Sequence, residues 1–145
     1  MEDLAVRNEK GGSMRRVLVI GVCVWLGLPP SVLAAAPLDG SAPMLCALTS
    51  VFECPLGGGC ERRAVGEDVP VFWRVNVPQR LLSSLDGARS SPIANVQRDG
   101  GRLMLQGIQN GKVWGLAIDE QSGQMAATVA EADGGTVLEG ACTVP

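Results

Sequence analysis

A chain of 145 residues has room for one domain, and its core must be built from aliphatic side chains because only 3% of the residues are aromatic. The formal net charge is −3 and the basic residues are scattered, which argues against nucleic acid as a partner. The sequence contains no His and no Tyr, so the commonest general base and metal ligand is missing. We therefore expect no enzymatic activity and no cofactor.

Residues 1–34 have the order of a secretory signal peptide. The first residues are polar and acidic, so Met14 is the better start. An arginine pair follows at 15–16, then an apolar run over 17–28 and small residues that end at Ala34. This run is shorter than the roughly 20 residues that a transmembrane helix needs. We expect export to the periplasm or the medium, with no stable membrane span after cleavage.

The mature chain is expected to begin at Ala35, and cleavage after Ala36 is the alternative. Residues 35–43 are rich in Pro, Ala, Gly and Ser, which predicts a flexible leader. The remaining residues, 44–145, are expected to form a single domain.

The first element of that domain is predicted to be a short helix over residues 44–52. Leu45, Leu48 and Phe52 have the spacing of one apolar helical face. We expect this helix to plug or cap a sheet.

Residues 69–77 alternate as a strand does. Trp73 lies on one face with three valines, whereas Phe72 and Arg74 lie on the other. If Trp73 faces the core, Phe72 and Arg74 point outward, and aromatic and Arg side chains are enriched at binding hot spots. The alternative is that Phe72 packs under the predicted helix. The segment 78–90 fits a strand or a loop.

Residues 91–144 predict five consecutive strands, because short apolar runs alternate with turn residues such as Asn110-Gly111 and Asp133-Gly134-Gly135. The fold class is mainly β: an antiparallel up-and-down meander of six or seven strands in a small barrel or half-barrel, with a two-layer sandwich as the alternative. Gly115 and Gly140 are candidate bends. The proposed interior positions are Leu103, Leu105, Trp114, Leu116, Ile118, Met125, Ala127, Val129, Leu138, Gly140 and Cys142.

Four cysteines remain after cleavage, and an even number in a small exported domain predicts disulfides. Of the three possible pairings, Cys54 with Cys60 is favoured because the short loop between them contains three glycines. Cys46 is then left for Cys142. The spacings fit neither a zinc site nor a Cys-x-x-Cys redox motif.

Motifs of one group of proteins are spread over nearly all of the mature chain: Cys46 to Cys54, Gly57-Gly58-Gly59-Cys60, the strand 69–75, Ser91-Pro92-Ile93 with Val96, Leu105-Gln106-Gly107, Gly111 with Trp114 and Leu116, Ile118-Asp119-Glu120 with Gly123, and Gly140 to Thr143. In these motifs the chain resembles a set of small exported proteins of Gram-negative bacteria that have no assigned activity. The resemblance implies export and a shared fold, and it implies no catalytic residue.

Three functions follow as hypotheses. The first is a non-catalytic binding or accessory module of the cell envelope, with Phe72 and Arg74 as its partner surface and an envelope protein or a small molecule as its partner. The second is a carrier of a small apolar ligand, although inward Leu and Trp side chains are expected to fill such a barrel. The third is a hydrolase that uses the carboxylates of residues 119–120, or of Glu131 and Asp133, which are more typical of solvated turns.

Overall fold

A computed structural model describes residues 36–145, so the predicted signal peptide lies outside the described residues. These residues form ten strands: β1 (Met44–Pro55), β2 (Glu61–Arg63), β3 (Phe72–Asn76), β4 (Leu81–Ser84), β5 (Ser90–Pro92), β6 (Asn95–Asp99), β7 (Arg102–Gln109), β8 (Lys112–Asp119), β9 (Gln124–Glu131) and β10 (Gly134–Thr143). The five strands predicted in residues 91–144 are confirmed as β6 to β10. At the β7–β8 turn, Asn110 and Gly111 both have positive φ, as a tight hairpin requires.

All ten strands belong to one antiparallel sheet with the order β5-β4-β3-β1-β10-β9-β8-β7-β6, and β2 pairs with β1 beside this path. A single sheet excludes the two-layer sandwich. The strand number exceeds the predicted six or seven because the sheet also contains β1, where a helix is predicted, the short strand β2, and both β4 and β5 in residues 78–92.

The sheet is curled into a half-barrel whose two edges approach each other. Its edge strands, β5 and β6, are separated in the chain only by Ile93 and Ala94. The Ala94 N–H donates to the Gln106 carbonyl of β7 at 2.8 Å, and the Ile93 N–H donates to the Arg80 carbonyl at 2.9 Å. This short connection forces the ends of the meander together and gives the sheet an inside and an outside.

The helix predicted over residues 44–52 is wrong, because these residues form most of strand β1. Met44, Cys46 and Leu48 are buried and their neighbours are more exposed, which is the period of a strand. β1 pairs with β3 on one side and with β10 on the other. Backbone pairing on both sides of a central strand outweighs the local helical spacing.

The inner face of the sheet carries the core. The predicted interior positions of β7 and β8 are buried, as are Met125, Leu138 and Cys142. Gly140 lies where β1 comes so close that a side chain would overlap the Ala47 carbonyl, next to a register shift between Leu48 and Ser50. At one end of the half-barrel, Leu38 packs on the core and Gly40 is buried beside Leu103 and Val77, so the segment predicted as a leader contributes to the packed domain.

Candidate functional site

The structure joins Cys46 to Cys142 and Cys54 to Cys60, the two pairs that the sequence predicts. Cys46 and Cys142 lie directly opposite each other on β1 and β10, both buried, and their bond spans 96 positions of the chain. The other bond spans 6 positions and closes the loop after β1. Two disulfides suggest a non-reducing environment, either extracellular or periplasmic.

The predicted partner surface lies on the outer face of β3. Phe72 is 44% exposed, and Arg74 is exposed on the same face, whereas Val75 is fully buried on the other. The Leu85 N–H donates to the Phe72 carbonyl at 3.2 Å, which places a second exposed apolar residue beside it. Phe72 does not pack under a helix, because residues 44–52 are a strand.

The four carboxylates considered for hydrolysis lie in two separate hairpins, and three of them have other partners. Asp119 accepts hydrogen bonds from the Ser122 N–H and hydroxyl at 2.8 Å each, and these bonds hold the pKa of Asp119 below its ordinary value. Glu120 accepts two hydrogen bonds from Arg98, which lower the pKa of Glu120. Glu131 pairs with Lys112 at 2.6 Å. Asp119, Glu120 and Glu131 therefore each bind a partner that is not a second carboxylate.

The inner face of the half-barrel surrounds a cavity of about 640 Å³ that opens at one end. Its volume lies within the roughly 300–1,000 Å³ typical of small-molecule sites. The open end is formed by the β4–β5, β7–β8 and β9–β10 turns and by the loop before β3. Apolar side chains from six strands form the wall: Leu48, Trp73, Val75, Leu82, Trp114, Leu116, Met125, Ala127, Val129 and Leu138.

Sequence reasoning missed this cavity because it expected Leu and Trp to fill the interior. The Trp114 ring lies against β7 at Gly107, where a Cβ atom would overlap it. Its indole N–H donates to the Ser91 hydroxyl of β5 at 2.7 Å. The largest inward side chain is thus held at the wall, where strands β5 and β7 meet, and the centre stays open. In the sequence, the signal for this arrangement was Gly107, a residue without a side chain opposite Trp114 on the neighbouring strand.

The buried polar groups in the wall of the cavity already have partners. The Trp73 indole N–H donates to the Pro70 carbonyl at 2.8 Å, and that of Trp114 is bound by Ser91. Within residues 36–145 every buried side-chain nitrogen and oxygen has a hydrogen-bond partner. Binding a polar molecule deep in this space would leave its own groups unpaired, so the wall favours an apolar ligand.

Polar side chains form the mouth of the cavity. Lys112 and Glu131 make an ion pair there, and the Gln109 amide donates to the Ser90 carbonyl. Arg89 stands at the end of the β4–β5 turn, where its Nη1 donates to the Asp68 carbonyl at 2.6 Å. The site therefore combines an apolar interior with a charged opening.

In the described part of the chain, no cluster of three or more His, Cys, Asp or Glu residues is arranged to hold a metal ion. Residues 36–145 also contain no helix with the length and apolarity needed to cross a membrane. Comparison of the chain with protein-family models, with curated proteins and with solved structures finds no match.

Proposed function

We propose that the mature domain is a non-catalytic binding module of the periplasm or the extracellular medium, and that it holds a small apolar ligand in the cavity of the half-barrel. The observation that carries the proposal is a cavity of about 640 Å³ with an apolar wall and an open end. Burial of apolar ligand surface supplies the binding free energy, at roughly 25 cal/mol for each Å² removed from water.

A filled cavity tests this function. Ala127 faces inward on β9 and lines the cavity, so Ala127→Phe puts a ring into the ligand space. Ala130 lies on the same strand, is exposed, and has Gly135 opposite it on β10, so Ala130→Phe is the matched control. We expect the uncharged fluorophore N-phenyl-naphthylamine to bind the parent domain and the control, and to bind the Ala127 variant at least tenfold more weakly.

Equal binding to the parent domain and to a folded Ala127→Phe variant would contradict the cavity as the site. Circular dichroism and the thermal midpoint establish that both variants are folded. Trp73 and Trp114 line the cavity, so a change in their fluorescence on titration gives an independent signal.

Export is the second part of the proposal, and it is supported by the order of residues 14–34 and by the two disulfides. Cleavage after Ala34 gives a mature protein that begins at Ala35. The intact mass of the secreted protein decides between Ala34 and Ala36, and a mass that retains residues 17–28 would contradict export by cleavage.

The outer face of β3 supports a second candidate, the binding of an envelope protein. Its specific observation is the exposure of Phe72 beside Arg74 and Leu85. A photo-crosslinking side chain at position 72 should join the domain to a discrete partner in exported fractions, and the same group at the outward Ala130 of β9 should not. Identical products from the two positions would argue against a specific surface at Phe72.

A further inference from the structure

The cavity is elongated, and its polar groups are concentrated at one end. Met125 and Glu131 both line it, and they are six residues apart on β9. At about 3.3 Å per residue, this separation is roughly 20 Å along the strand. Met125 pairs with Gly140 far from the β9–β10 turn, at the deep end, whereas Glu131 pairs with Gly134 beside that turn, at the mouth. The shape fits a long apolar molecule that enters with one end remaining at the opening.

Some of the charged side chains at the mouth are in ion pairs, and Arg89 is not. Residues 36–145 contain three ion pairs, and two of them, Lys112 with Glu131 and Arg63 with Glu53, involve residues of the cavity lining. Arg89 also lines the cavity and belongs to none of the three. Asp86 attracts this charge at longer range, but the guanidinium is in no ion pair within the described residues and can bind a ligand.

The guanidinium of Arg89 is held in place by a neutral group. Its Nη1 donates to the backbone carbonyl of Asp68, and the other N–H groups of the fork make no hydrogen bond within the described residues. Such a fork matches the two oxygens of a carboxylate. A guanidinium that already makes one hydrogen bond loses less conformational entropy when it binds a ligand. Arg89 directly precedes β5, whose Ser91 faces the interior, and it is one of the residues that line the cavity.

Two carboxylates lie near this arginine. Asp86 is occupied by the Ser84 hydroxyl and the Ala88 N–H in its own turn. Asp68 also lies at the mouth, and it is exposed as Arg89 is. Within residues 36–145 no hydrogen bond orients the Asp68 carboxylate, whereas the Arg89 guanidinium donates to the Asp68 carbonyl. The oriented donor is thus the stronger recognition element of the two.

We propose that the ligand is an elongated amphiphile with one acidic group, of the chemical class of a long-chain monocarboxylate. Its apolar chain lies between Trp73 and Trp114 in the cavity, and its carboxylate binds Arg89 at the mouth. This inference rests on the proposed function, because it names the class of ligand for the same cavity.

Three probes of equal chain length test the head group: dodecanoate, dodecanol and dodecylamine, each used below its micelle concentration. Their affinities are measured near neutral pH by displacement of N-phenyl-naphthylamine from the oxidised domain. We expect dodecanoate to bind most tightly. In Arg89→Met, which keeps the apolar stem and removes the charge, dodecanoate should bind roughly fivefold more weakly, as for an exposed ion pair, and dodecanol should bind as before.

Arg62→Met is the matched control, because Arg62 is an exposed arginine on β2 that does not line the cavity and belongs to none of the three ion pairs. It should change neither affinity. Equal weakening of dodecanoate by both substitutions would show a general effect of net charge and would overturn the role of Arg89. Equal weakening of dodecanol and dodecanoate by Arg89→Met would show an effect through the fold, with the same consequence.

The preference for an acid is overturned if dodecanol or dodecylamine binds the parent domain as tightly as dodecanoate does. In that case the cavity remains a binding site and only the ligand class is wrong. If neither the fluorophore nor any of the three probes binds, the proposed function itself fails. Added salt gives a further check, since it should reduce the difference between dodecanoate and dodecanol.

Discussion

Removal of the bond between Cys46 and Cys142 should destabilise this domain far more than removal of the bond between Cys54 and Cys60. The first bond closes a loop that spans 96 positions, and the second closes one that spans 6. Loop-closure entropy in the unfolded chain then gives about 4.7 kcal/mol for the long loop and about 2 kcal/mol for the short one. The larger value approaches the whole stability of a small domain, which is roughly 5–15 kcal/mol.

The positions of the two bonds in the fold strengthen the contrast. Cys46 and Cys142 are buried in the core and tie β1 to β10, so their sulfur atoms also contribute packing. Cys60 is exposed in a loop. At about 4 °C per kcal/mol for a domain of this size, loss of the long bond should lower the thermal midpoint by roughly 20 °C.

The assay is urea unfolding of the oxidised parent and of the variants Cys46→Ala/Cys142→Ala and Cys54→Ala/Cys60→Ala, followed by tryptophan fluorescence. All three proteins are measured at the same sucrose concentration, so that a marginally stable variant still gives a complete transition. A loss in the second variant that equals or exceeds the loss in the first would refute the reasoning from loop length.

Two further predictions concern single side chains. Gly107→Ala should lower the free energy of unfolding by about 1–3 kcal/mol, because its Cβ would overlap the Trp114 ring. Gly59→Ala is the control, since nothing lies within 4 Å of the added Cβ, and it should not lower this free energy. Equal effects of the two substitutions in urea unfolding would contradict this packing. The pKa of Asp119 lies below its ordinary value of 3.8 because Ser122 donates to the ionised carboxylate. The stabilisation of the folded state by this ionised carboxylate is therefore present above pH 3.8 and is lost as the pH falls through the lower pKa of the folded state. Asp119→Asn should therefore reduce the urea midpoint at neutral pH and progressively less below pH 3.8, and a pH-independent difference would exclude this ionisation as its cause.

Much of the sheet could be predicted from the sequence because the signals are local. Alternation of apolar residues sets which face of a strand is buried, and this works for Leu103, Leu105 and Ile118 without reference to other parts of the chain. Turn residues that tolerate positive φ, such as Asn110 and Gly111, fix where strands end. The disulfide partners follow from loop length and from the even number of cysteines.

Tertiary contacts decided the rest. Residues 44–52 have an apolar spacing compatible with a helix, and they become a strand because β10, more than 80 residues later, pairs with them. The cavity depends on how the sheet curls: Trp114 reaches Ser91 on β5 only when the two edges approach, and Gly107 then leaves room for its ring. No local pattern encodes that approach, because it is set by the pairing of strands distant in the chain. For strands β7 to β10 the sequence alone therefore predicted which side chains face inward, and only the three-dimensional arrangement determined that they leave a space between them.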